Sequence, residues 1–561
     1  MSDVTRRPAR RSARSTPRRQ SPPPPLLTRL VGWFEAAASA AESARERACR
    51  DRDYYDGKQW SAAEAAELQA RGQAPIVVNR IKPKMDHLLG LERQMRTAAR
   101  CVPRNPADEA AARAAGDALR YVLDSNRFDD IRSEVFENLL IEGTGCAEVV
   151  VETSPRDGTR VTLNPIHWER FFVDPYARRR DLEDARYRGQ VIWMDQDEAQ
   201  AKFPDRHAEL EASLHGGAEA VGGAFADTPS RWADSGRRRV RVVEIWYRED
   251  GQMRQAVFCR GGLLRGPVDS PYRDDEGNPE DPYVLCAAFI SRDGERYGAV
   301  RQLIGIQDEI NKRRSKALHL LSVRQVRSER GAVEDVAAAR RELARPDGWV
   351  ETTPGMQFEL LPTGDMAAAQ FQLLAEAKGE IDAVGGTAAL SGREFDAASG
   401  RALQMRQQGG QVELGPLFDT LRGWQQRLYR KAWGRIRQFW TAARWVTVTD
   451  DPQAPAWIGL NRPVTLREEI LRETGAIPPE LEDDPRLGEI VRTENHLAAL
   501  DVDIVVAEFP DTVAVRQEEF RTLANLAASG VPIPPAALIE ASGLRGKEAI
   551  LRALRGSPPS A

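Results

Sequence analysis

The residues of this 561-residue chain best able to do chemistry are a glycine-lysine turn near its end, six histidines, five cysteines and two groups of carboxylates. A phosphate-cradling loop needs glycines whose backbone amides face the phosphates, then a lysine and a magnesium-binding hydroxyl. The nearest approach is Gly543-Leu-Arg-Gly546-Lys547, with Ala541 where the first glycine belongs and Glu548 where the hydroxyl belongs. An ATP-driven motor is therefore not expected. There is no HExxH and no GxSxG turn, and His87, His167, His207, His215, His319 and His496 show no metal-ligand spacing. In the acidic run Asp274 to Asp281, setting Gly277 at the sixth position of a calcium loop puts Tyr272 at the first, where a carboxylate is required. The run is expected to be a solvated turn. Asp308 and Glu309, beside Asn311, could be drawn as a nuclease pair, but neighbours on a helix diverge by about 100° and converge poorly on one metal. No catalytic residue, metal site or cofactor is predicted.

The elements that would position any site come next. The chain is long enough for two to four domains, and its 41% hydrophobic and 29% charged residues suit a folded protein. The net charge of −4 conceals an asymmetry, because the first twenty residues carry seven arginines and one aspartate. An acidic remainder argues against general coating of nucleic acid, which needs cationic surface. The cysteines, Cys49, Cys101, Cys146, Cys259 and Cys286, lack paired spacing and read as reduced thiols of a cytosol-like compartment. No run is apolar enough to span a membrane, and Pro22 to Pro25 interrupt any signal-like core.

Residues 1–25 read as a disordered, basic, proline-rich arm, serving either as a tether to nucleic acid or an acidic partner or as a plain solvated tail. A helix is predicted from Leu26 to about Tyr55. Another follows the N-cap Ser61, with Glu64 at capping-box spacing. Helices are expected from Asn79 through Arg96 and from about Pro106 to Asn126. Short strands are expected at 143–152, 159–163, 171–174, 188–194 and 239–248, with a turn at Asp250-Gly251 and a loop over 213–237. Then come a long helix from Tyr297 to about Val326, a small insert, and a helix from Met366 to Val384. A glycine-rich loop leads into a helix from Arg401 to Trp440, bent at Gly409-Gly410, with Trp424, Trp433 and Trp440 as core and Lys431 off the apolar face. The insert holds a helix at about 333–344 and extended pieces at 349–351 and 358–361. Strands near 445–449 and 504–508 and terminal helices complete an α+β, predominantly helical chain without internal repeats.

Asp51 to Trp60, Arg71 to Asn79 with Gly90, Phe171-Phe-Val-Asp-Pro175 with Trp193, and Glu244-Ile-Trp-Tyr247 resemble the portal family of short-tailed bacteriophages of the P22 type. So do Gln307-Asp-Glu-Ile-Asn311, Ser399-Gly400-Arg-Ala402, Leu460-Asn461-Arg462 and the stretch from Arg516 to Lys547, in that order over about residues 45–555. The basic arm lies outside the pattern. The resemblance implies a non-enzymatic ring of twelve subunits at one capsid vertex of the virion, assembled in the host bacterial cytoplasm. Double-stranded DNA would pass through its channel. The wing would be residues 26–296, the stem helices 297–326 and 366–384, and the clip 327–365. A channel loop would span 385–400, a long wing helix with return strands 401–505, and a helical crown 506–561. Implied partners are the terminase large subunit, then a head-completion or tail adaptor protein, together with major capsid and scaffolding proteins, and no membrane.

A channel through which DNA slides must not grip phosphate. Glu376, Lys378, Glu380 and Asp382 give the second stem helix an acidic excess that would either repel DNA in the lumen or form ion pairs between subunits. Arg393, Glu394 and Phe395 are the loop residues expected to meet DNA, or else form a solvent-facing turn. Lys312, Arg313, Arg314 and Lys316 wrap around the first stem helix and would touch phosphate or pair with neighbouring subunits' acids. In the clip, Trp349 and Phe358 would anchor a partner or form the insert's own core. The alternatives are a DNA-processing enzyme, either a metal-dependent nuclease or a packaging motor subunit, and a helical adaptor that forms no ring.

Overall fold

The computed structural model describes the chain except residues 1–24, 97–98, 104–108, 155–157, 217–231, 235, 323–324, 346, 362–363, 385–399, 449–455, 479–480, 482–483, 501, 507–512 and 543–561. Among the described residues helix accounts for 49% and strand for 25%, a mixed helix-and-sheet chain in which helix predominates.

The first helix, Leu26–Asp56, ends at Gly57 in a left-handed conformation that lets its amide reach back to the last turn. Its early apolar residues lie on a six-stranded antiparallel sheet. The sheet runs Phe171–Val173, Tyr187–Asp195, Arg239–Glu249, Gln252–Cys259 and Gly262–Asp269, with Ala233–Asp234 beside the third of these. The contact is aromatic: Trp33 stacks on Tyr187 at 5.2 Å, and Phe34 meets Phe172 and Trp232 edge-on. Asp250 and Gly251 both have positive φ, as a two-residue hairpin turn requires.

A second sheet places Thr144–Ser154 between Tyr283–Ala287 and Gly158–Ile166. It shares the largest core with helices Ile81–Gln94, Glu109–Ser125 and Phe128–Ile141 and with the 40-residue helix Gly400–Phe439. That helix is continuous through Gly409-Gly410 and carries Pro416 inside it. Trp424, Trp433 and Trp440 are buried in this core. Four two-stranded ribbons among the described residues, at 289–297, 444–460, 462–494 and, pairing across the chain, Ala99–Pro103 with Val502–Val506, belong to the same body.

From this body rise two helices packed side by side, Val300–Ser322 and Gly364–Ala383. Their far ends join through an antiparallel ribbon of Gln325–Ser328 and Phe358–Leu361. The helix expected to reach Val326 thus stops at Ser322, because residues 325–328 find a strand partner more than thirty residues away. At the near end two glycines let backbones touch. A Cβ on Gly143 would lie 2.0 Å from the Tyr297 carbonyl carbon, and one on Gly298 would lie 2.3 Å from the Ile141 oxygen. This close approach lets Ala299 N donate to Leu140 O at 2.8 Å and fixes where the outgoing helix starts.

Candidate functional site

The outgoing helix is anchored by polar residues, not by grease alone. Gln307, Asn311 and Ser315 are buried and stand four residues apart, so they share one face. Opposite them runs the extended segment 75–80, which pairs with no strand. Its alternate amides donate to the helix: Arg80 N to Gln307 Oε1 (2.9 Å), Val78 N to Asn311 Oδ1 (2.9 Å) and Ile76 N to Ser315 Oγ (3.0 Å). The match is geometric. Four helical residues rise about 6 Å, and two strand residues rise about 6.6 Å, so the helix face imitates the edge of a sheet. Gln307 Nε2 returns a bond to Val78 O, and Asn311 Nδ2 donates to Gln59 Oε1 (2.7 Å), whose own amide donates to Tyr54 O. Asn79 then caps the next helix by accepting from Ile81 N and Lys82 N. Three of the stretches that carry the sequence resemblance therefore meet at one root.

Carboxylates surround this root in part-buried pairs, of which Asp51 and Glu142 are the buried members. Arg301 bridges Asp51 (2.9 Å) and Glu295, and Arg52 bridges Glu142 (2.5 Å) and Glu137 (2.7 Å). Burial outweighs the guanidinium in both cases, pushing the Asp51 carboxyl up to about 6 and that of Glu142 up to about 7. Asp308 accepts from Tyr54 and lies 3.6 Å from Arg50, so it is tied into packing rather than free beside Glu309. Among the described residues no three His, Cys, Asp or Glu side chains converge as a metal site would need.

Elsewhere in the body the long helix is clamped by charge. Lys431 Nζ donates to Asp281 O (2.6 Å) and lies 3.3 Å from Glu280, while Arg435 pairs with Glu280 (2.7 Å) and stacks over Tyr272 at 3.9 Å. Arg188 approaches Asp281 at 3.4 Å. Burial alone would raise the Asp281 carboxyl, but Arg188 and Lys431 overcome it and hold it below the ordinary aspartate range. Lys431, off the apolar face, is nonetheless buried. One expectation is corrected here: the acidic run is a solvated turn only to Asn278, where Asp274 accepts from the Glu276 and Asn278 amides. Its last two residues are the clamp.

The residues singled out from sequence fall in distinct places. Lys312, Glu376 and Glu380 are exposed and Lys378 is half-buried, and none of the four makes an ion pair among the described residues. Arg313 pairs with Glu309 on its own helix (2.5 Å). Asp382 pairs with Arg80, and Lys84 donates to Ile381 O, tying the returning helix to the body. At the distal insert Trp349 is 77% exposed and so is not a core residue, while Phe358 is half-buried in the ribbon. Leu318, Leu321, Leu360 and Met356 are exposed nearby in sequence or on the pair. Arg393, Glu394 and Phe395, with the rest of the loop 385–399, lie outside the described residues, as do the arm to residue 24 and the terminal stretch from 543. Sequence reasoning missed Arg188 and Glu142, since a charged residue inside a strand or at a helix end carries no local sign that it will be buried. No helix among the described residues is long and apolar enough to cross a membrane.

Compared with known proteins, the family described as phage P22-like portal protein matches residues 31–252 and 248–561. A relative named portal protein, from Helicobacter pylori bacteriophage KHP30, is 20% identical over 425 residues. The match covers 73% of this chain and 66% of that relative, so the chain spans just under two thirds of the relative's length.

Proposed function

The chain belongs to the phage P22-like portal protein family, and on that premise we propose that it forms the portal vertex of a phage head, a ring of twelve copies around a channel for double-stranded DNA. The observation that carries the reading is the paired helices Val300–Ser322 and Gly364–Ala383, rooted rigidly in the body and ending in a small β-ribbon insert. Twelve such pairs side by side enclose a tube when the heterologous contact repeats with a closing rotation. The helix pair is then the stem, the insert at 327–365 the clip, and the two-sheet body with the long helix the wing. The loop 385–400 is the channel loop and the residues from 506 the crown.

In this arrangement the protein makes no bond and breaks none. Exposed Glu376 and Glu380 present negative charge that keeps phosphate from adhering, or they pair with Lys312 of an adjacent copy. Arg393, Glu394 and Phe395 act on DNA by transient steric contact. Trp349, exposed on the clip, with Phe358 at its edge, is the anchor for the terminase large subunit and afterwards for a head-completion or tail adaptor. Major capsid and scaffolding proteins surround the ring in the virion, which is assembled in the host cytoplasm.

DNA packaging into heads assembled with and without the protein is the test. Filled heads only in its presence, with filling lost on deletion of residues 391–397, support the reading. Equal filling without the protein overturns it, and normal filling after the deletion removes the loop's role.

A further inference from the structure

The far end of the first helix forms one wall of an open cleft of about 480 Å³, within the roughly 300–1,000 Å³ of ligand-sized clefts. Asp53, Asp56, Glu134, Glu137 and Glu169 line it, against Arg52 and Lys58. Arg52 is already engaged by Glu142 and Glu137, and Lys58 lies 3.7 Å from Asp53. Asp56 and Glu134 are exposed and make no ion pair among the described residues. Burial and the nearby Arg52 lower the His167 pKa, so this lining residue adds no positive charge near neutrality. A second observation is independent of charge. Asn138 also lines the cleft and is only 4% exposed, yet its side-chain Nδ2 finds no acceptor among the described residues. A buried amide donor without a partner is destabilising, because it has lost its water and gained no acceptor. The cleft therefore suits a ligand that brings cations and a carbonyl oxygen together, which is the chemistry of an arginine-rich peptide.

We propose that the cleft is the docking site for the chain's own amino-terminal arm, with Arg6 to Arg14 set against the acidic rim and a peptide carbonyl accepting from Asn138. The arm holds seven arginines and one aspartate in its first twenty residues. It joins the helix at Leu26, whereas the cleft begins at Cys49, about 35 Å further along at 1.5 Å per residue. An extended chain covers about 3.3 Å per residue, so Arg14 and the four arginines before it can turn back and reach the cleft, whereas Arg18 and Arg19 cannot. Covalent attachment supplies the millimolar effective concentration that makes a weak ionic site fill. The docking does not depend on ring formation or on DNA, so it can fail while the portal reading stands.

Cys49, an exposed thiol on the cleft wall, is a built-in reporter. In the full-length protein at low salt its alkylation by an uncharged maleimide is expected to be about tenfold slower than after deletion of residues 2–20, which corresponds to a docked state favoured by about 1.4 kcal/mol. Asp56→Asn with Glu134→Gln should release the protection without deleting anything, and so should about 1 M salt, where the screening length is about 3 Å. A Ser12→Cys variant should form a disulfide with Cys49 on the same chain. Equal alkylation rates with and without the arm overturn the proposal. Protection that needs added DNA also overturns it, assigning the cleft to a different occupant. Disulfides joining isotopically distinct chains in a mixed sample overturn the assignment to the chain's own arm.

Discussion

Replacing Asn311 by alanine should loosen the root of the helix pair more than any surface change on the same helix. The substitution removes the acceptor of Val78 N, the donor to Gln59 Oε1 and one acceptor of Gln307 Nε2, at a position 1% exposed. Two groups, the Val78 amide and the Gln59 oxygen, are then orphaned inside the protein. Each orphan costs about 1–3 kcal/mol, so the segment 75–80 should lose about 2–6 kcal/mol of local stability. Ser315→Ala, which orphans only the half-buried Ile76 amide, should cost about 1 kcal/mol. Lys316→Ala, on the exposed face, should stay within about 0.5 kcal/mol. Because a chain of several cores need not unfold in one step, the assay is amide hydrogen exchange at residues 76, 78 and 80. Exchange at Val78 should accelerate by between about 30-fold and on the order of ten-thousand-fold in Asn311→Ala, taking tenfold per about 1.4 kcal/mol. A change below about fivefold at Val78, or an equal change in Lys316→Ala, would refute the idea that the helix face substitutes for a strand.

The close approach at the helix start predicts that Gly298→Ala forces the Ile141 carbonyl away, costing about 1–3 kcal/mol as an overpacking strain; an unchanged melting temperature would contradict it. The raised carboxyl of Glu142 binds a proton in the folded chain between its ordinary value near 4.5 and about 7. Its contribution is thus fully present below pH 4.5 and is lost as pH rises to 7. Relative to wild type, Glu142→Gln should gain stability as pH rises from 5 to 8, by up to roughly 3 kcal/mol for a carboxyl moved from near 4.5 up to about 7, read as the difference in denaturation midpoints at the two pH values. A falling difference would contradict it. Glu376→Lys with Glu380→Lys should slow DNA packaging while leaving the subunit fold intact by circular dichroism; unimpaired packaging would count against a repelling lumen.

Much of the local architecture was legible because its causes are local. The capping box forms as expected, with Glu64 N donating to Ser61 Oγ at 3.2 Å and Ser61 N to Glu64 Oε2 at 3.1 Å. The helix ending before Gly57 and the tryptophan face of the long helix likewise follow from spacing alone. What was not legible depends on partners distant in sequence. Residues 325–328 suit helix or strand equally, and Phe358–Leu361 decides for strand. The helix Phe128–Ile141 begins at Arg127 in a left-handed conformation with no capping side chain, so no start signal marks it. Gln307 and Asn311 look like solvent-facing residues until the unpaired segment 75–80 lies across them. The i, i+4, i+8 spacing of three short polar residues was the one hint. Asp281 was misassigned for the same reason, and the burial of Lys431 carried no sign: the attractions that compensate them come from Arg188 for Asp281 and from Glu280 for Lys431, residues distant in sequence but adjacent in space.

The central claim is that copies of this chain close into a ring. Native mass spectrometry of the purified full-length protein, with electron micrographs of the same sample, tests it most directly. The account predicts one assembly of twelve copies of the 62.4 kDa chain, about 750 kDa by closed heterologous contacts, seen as a ring with a central hole. A stable monomer that cleaves DNA when magnesium is added would contradict it.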